Sequence, residues 1–146
     1  MKKALTLIIV MVVASFNFAN AQSEEKAIKE VIQSAYIDGI HNLKNIENIK
    51  KGFHPGFNLL IKNQEGQLVK YPIYSWIEST KKRLAENPGG ASETTTVEFV
   101  EIDITGESAM AKIDLFRNEN RTFTDYLFLY KFPEGWRIVS KVYHRY

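Results

Sequence analysis

The stretch from Arg121 to Tyr146 constrains the fold most. It consists of two runs dense in aromatic and β-branched residues around Pro133-Glu134-Gly135, the pattern of a strand, a tight turn and a strand. Strict alternation sends Tyr126, Phe128, Tyr130 and Phe132 to one face of the first strand and Phe123, Leu127 and Leu129 to the other. In the second strand it sets Trp136, Ile138 and Val142 against Val139 and Tyr143. Both faces are apolar, and a two-stranded ribbon cannot bury two faces by itself. Helices must cover one side, and another sheet surface or a second subunit the other.

The other end of the chain has a different character. Lys2 and Lys3 precede an apolar run from Ala4 to Phe18, and Ala19-Asn20-Ala21 supplies the small residues of a cleavage site. This pattern predicts a signal peptide over residues 1–21, cut after Ala21, and an exported mature chain over 22–146, periplasmic or secreted, with no membrane anchor after signal removal. Lys2 and Lys3 also account for the whole +2 net charge. The mature chain is therefore balanced, without the basic stripe that a nucleic-acid partner requires. No cysteine is present, so stability in an oxidising compartment rests on packing rather than disulfides.

Between the two ends lies one domain's worth of alternating signals. Ala27, Ile28, Val31, Ile32, Ala35 and Tyr36 follow helical spacing, with Ser23 as N-cap and Gly39 as stop. A shorter helix is predicted over about Leu43 to Lys51, closed by Gly52. Phe53-His54-Pro55-Gly56-Phe57 reads as an aromatic corner, followed by a strand from Asn58 to Lys62, a turn at 63–66 and a second run from Gln67 to Tyr71. Pro72 opens a helix carrying Ile73, Trp76, Ile77, Thr80 and Leu84, which Asn87-Pro88-Gly89-Gly90 ends. Strands over Thr96 to Thr105 and Ser108 to Phe116 then lead into the C-terminal hairpin. Helices first and an antiparallel meander last make the fold class α+β.

Five segments together resemble a known superfamily: Tyr36-Ile-Asp-Gly39, Phe53-His-Pro-Gly-Phe57, Pro72-Ile-Tyr-Ser-Trp76, Phe123-Thr-Asp-Tyr126 and Gly135-Trp-Arg-Ile-Val-Ser-Lys-Val-Tyr143. In these the mature chain is similar to the nuclear-transport-factor-2-like proteins, and within them to the bacterial group labelled "putative lumazine-binding". The resemblance implies a cone, a strongly curved, mostly antiparallel sheet wrapped around N-terminal helices in the cystatin-like manner. It also implies a pocket at the wide end and a homodimer through the outer sheet face. It assigns no reaction, since the superfamily includes isomerases, dehydratases and proteins without activity.

Within such a cone, His54 and Asp125 are the candidates for moving a proton. An imidazole can take or give a proton, and His54 sits at a conformationally restricted corner; its plain structural reading is a ring that braces the turn. Asp125 lies among Phe123, Tyr126 and Leu127, where burial would raise its pKa, but Arg121, Lys131 or cross-strand Lys141 could neutralise it as an ion pair. Tyr36, Phe53, Phe57 and Trp76 read as pocket wall or as core. Lys141 and Tyr143 share a strand face and point at a ligand if that face is concave, or at a dimer partner if it is convex. His41 and His144 are expected at the surface. Scattered histidines and the absence of phosphate-loop, dinucleotide and nucleophile-elbow motifs leave no metal or cofactor to expect.

The functional expectation is an exported small-molecule-binding domain with an aromatic-lined cone pocket built from Tyr36, Phe53, His54, Phe57, Trp76, Asp125, Lys141 and Tyr143. One alternative is an acid–base enzyme of isomerase or dehydratase type using His54 or Asp125 in the same pocket. Another is an interaction module that makes a homodimer or docks a partner through the outer sheet face, using Phe128, Tyr130, Trp136 and Ile138, while the cone is filled.

Overall fold

The computed structural model describes residues 21–146, so the expected signal peptide lies outside the described residues except for its last position. The first helix, α1, runs over residues 21–41, with α-helical geometry to residue 31 and π-helical geometry over Ile32–His41. Ser23 is thus inside the helix rather than its cap, and Gly39 does not end it. Both glycines of the helical region serve close packing instead. A Cβ on Gly39 would lie 2.6 Å from Ile49 Cγ1, and one on Gly52 would lie 2.3 Å from Ala35 Cβ. Their bare backbones let α2, Ile46–Gly52, press against α1.

The first strand, β1, covers Phe53–Lys62, and β2 covers Leu68–Pro72. The expected corner at Phe53 to Phe57 is instead an irregular stretch of β1, because the pairing with β6 jumps between Phe53 and Asn58. Pro72 caps α3, Ile73–Glu86, at its N-terminus, a position that suits its fixed φ and missing N–H. The strands β3, Thr96–Thr105, β4, Ser108–Arg117, β5, Asn120–Phe132, and β6, Gly135–Arg145, complete the chain. All six form one sheet in the order β2-β1-β6-β5-β4-β3, parallel only between β1 and β6. The sheet curves around the helices without closing.

Register shifts accompany the curvature. Phe99 pairs with Ile113 but Glu101 with Lys112, so Val100 is an extra residue in β3; Leu129 pairs with Ile138 but Phe128 with Ser140, so Val139 is extra in β6. Such bulges bend a strand and increase its twist. They also change which residues face inward. The concave side carries Ala111, Ile113, Leu115, Leu127, Leu129, Trp136 and Ile138, all buried against α1. Trp136 and Ile138 are therefore core residues and not part of the outer face. Beyond Val139 the alternation is reset, so Lys141 faces inward on the same side as Ile138, while Val142 is exposed.

Candidate functional site

Where α1 crosses the concave sheet, three polar side chains meet in the core. Tyr36 reaches from the π-helical part of α1, Asp125 from β5 and Lys141 from β6, and the first two are fully buried. The Tyr36 hydroxyl donates to Asp125 Oδ2 at 2.6 Å, and Lys141 Nζ lies 2.9 Å from the same oxygen. Lys141 Nζ also donates to the Tyr36 hydroxyl. Asp125 Oδ2 thus takes one hydrogen bond and one ion-pair contact, while Oδ1, equally buried, has no hydrogen-bond partner among the described residues. Desolvation pushes Tyr36 well above the usual tyrosine range, and the Asp125 charge adds to it. Burial pulls Lys141 below the usual lysine range, against the upward pull of Asp125.

Aromatic rings enclose this cluster. Lys141 Nζ lies 4.9 Å from the centre of the Tyr36 ring, 5.0 Å from Tyr143, 5.8 Å from Trp76 and 5.9 Å from Phe123, distances at which ring faces attract a cation. Trp76 is the hub of the wall, with its ring 5.9 Å from Tyr36, 6.2 Å from Phe53 and 6.0 Å from Phe57. Seven of the eight residues singled out in the sequence thus come together. The eighth, His54, does not join them. Its ring stacks on Phe132 at 4.8 Å and its Nδ1 accepts the Gly56 N–H at 3.0 Å, the bracing contact of an irregular strand.

Sequence reasoning missed two contributors. Phe123 could have been found, because it sits two residues from Asp125 and shares its strand face. His41 could not be found from a 3.6-residue period. In a π-helix residues five apart approach one another, and the His41 ring lies edge-on to Tyr36 at 4.7 Å. Its Nε2 is buried and has no hydrogen-bond partner among the described residues. Burial, with Lys141, Arg117 and Arg83 adding positive charge nearby, lowers its pKa to about 3.

The wall is built, but its rings occupy the space between them. Cavities of about 200 to 680 Å³ open among the described residues, and Tyr36, Phe53, Trp76, Asp125 and Lys141 do not line these. One of about 680 Å³ lies outside the cone, between the start of α1 and the β5–β6 turn, where Glu24 accepts from Trp136 Nε1 and Lys131 Nζ, each at 2.7 Å.

The family model described as "Putative lumazine-binding" matches residues 23–144, nearly all of the described chain. The chain belongs to this family. Its fold is shared with an NTF2-like protein of unknown function from Shewanella baltica OS155, at 26% identity and a TM-score of 0.64 over 85% of this chain and 94% of that one. An NTF-2-like protein of unknown function from Silicibacter pomeroyi DSS-3 aligns at 20% identity and a TM-score of 0.63, over 88% of this chain and 98% of the other. A cystatin-like domain of unknown function from Nostoc punctiforme PCC 73102 aligns at 14% identity and 0.60, over 85% and 78%. No curated protein matches. The NTF2-like cone is thus the setting in which the Tyr36, Asp125 and Lys141 cluster must act.

Proposed function

We propose that this family member is an exported small-molecule-binding domain whose binding centre is the cone interior at Tyr36, Asp125 and Lys141. The observation that carries the reading is the Asp125 carboxylate, fully buried yet with Oδ1 unpartnered among the described residues, at the centre of an aromatic wall. A buried acceptor without a hydrogen bond costs about 1–3 kcal/mol, which a ligand donating an N–H or O–H would recover. Flat, conjugated compounds with ring N–H groups, the class to which lumazine belongs, fit both the rings and the open acceptor. Entry requires Trp76, a partly buried ring of the wall, to swing aside and yield its place to the ligand.

A thermal-shift series with lumazine, riboflavin and simpler aromatic heterocycles tests this. A compound at about 100 times its Kd adds about 2.7 kcal/mol of stability. The expected result is stabilisation of the wild type by at least one compound, reduced or lost in Asp125→Asn and Tyr36→Phe. Equal stabilisation of all three proteins would place the ligand elsewhere. A second reading, a homodimer through the convex face, has its own observation in its favour. Tyr126, Phe128, Tyr130 and Val142 stand side by side there, with Phe128 43% and Tyr130 53% exposed.

A further inference from the structure

A separate cleft of about 200 Å³ opens where the C-terminal ends of α1 and α3 meet residues 91–93 and the end of β4. His41, Arg83 and Arg117 line it, together with Glu93. The two guanidinium groups come from different elements and each spends little of its capacity on the protein. Arg83 donates Nη1 to the Ile40 carbonyl at 3.2 Å, and Arg117 donates Nε to Thr95 Oγ1 at 3.1 Å. Neither has a carboxylate partner among the described residues. Glu93 Oε1 accepts from Asn118 Nδ2 at 3.0 Å, leaving the cleft with more positive than negative charge.

The surrounding backbone is already fixed. Asn42 clamps Thr95 from both sides, with Nδ2 donating to the Thr95 carbonyl at 3.0 Å and Oδ1 accepting the Thr95 N–H at 2.8 Å. The Ala91 N–H reaches the Asn42 carbonyl at 3.3 Å and pins the other side of the loop. We propose that this cleft binds a small oxyanion, a carboxylate or phosphate group, between Arg83 and Arg117 and against His41. Planar guanidinium forks match such groups two oxygens at a time, and an anion there would offset the charge that two arginines and Lys141 place around His41. The cleft is a different space from the cone interior and only shares His41 with its wall, so the proposal does not rest on the cone reading.

The test follows the His41 imidazole by NMR while sodium phosphate, or separately sodium acetate, is added to the purified protein at constant ionic strength. A saturable shift with at least one of the two anions is expected, with the His41 pKa rising from about 3 in the bound form. Phosphate alone saturating assigns a phosphate site, and acetate alone a carboxylate site. Arg83→Gln and Arg117→Gln should each weaken binding by about tenfold or more, and Arg117→Lys, which keeps the charge but loses the fork, by less. No saturable shift with either anion, or folded arginine variants that bind as tightly as the wild type, would overturn the proposal.

Discussion

Tyr36, Asp125 and Lys141 show how much a core can demand of a few polar atoms. Removing one partner of a buried ion pair strands the other, which costs about 3–5 kcal/mol, whereas removing both charges costs less. Lys141→Met should therefore lower the urea midpoint more than Asp125→Leu combined with Lys141→Met, even though the double variant leaves the Tyr36 hydroxyl seeking a new partner. Additive losses in the double variant would show that the two charges do not depend on one another. His41 carries a pH signature of its own. Its imidazole titrates near 6.5 when unfolded and at about 3 when folded, so between these values the unfolded chain holds more protons. The contribution is complete above about pH 6.5 and falls as the pH drops toward 3, by up to about 1.4 kcal/mol per pH unit. In His41→Phe the slope between pH 6.5 and 5 should flatten, as read from urea unfolding at each pH. Asp114 and Glu24, both held below the usual carboxylate range, act only at lower pH.

Among the elements, β6 decides what the site contains. Val139 is one extra residue against β5, and it turns Lys141 into the cone beside Ile138 instead of out with Val142. A period of two read across Trp136 to Tyr143 misses this, because a bulge leaves no signature in the residue types alone. The pairing of Lys141 with Asp125 was legible as one of several possible ion pairs; its burial was not. His41 escaped for a similar reason, since the π-helical register of Ile32–His41 brings it onto Tyr36 out of step with a 3.6-residue period. By contrast, the convex face of β5 was legible from alternation, since β5 has no extra residue of its own from Phe123 through Tyr126, Phe128 and Tyr130. If that face joins two copies, sedimentation velocity should show a dimer that Phe128→Lys with Tyr130→Glu converts to a monomer of unchanged melting temperature. A wild type that sediments as a monomer across the micromolar range would exclude that interface.

For the whole molecule, the order of elements followed from the hairpin, the helical spacing and the turn residues, because each of these local preferences agrees with the final fold, while the cone came from the resemblance to the nuclear-transport-factor-2-like proteins. Less legible was how the cone is filled. Tyr36, Phe53, Phe57 and Trp76 are the residues a pocket would need, and in the structure their rings pack on one another over a buried carboxylate, one oxygen of which has no partner among the described residues. The most direct test is to record the Trp76 indole N–H and the Asp125 side-chain carboxyl signals by NMR while lumazine or riboflavin is added. If the cone interior is the binding centre, both signals move together and saturate at one Kd, and Tyr36→Phe weakens that Kd. A compound that binds while both signals stay in place would contradict it.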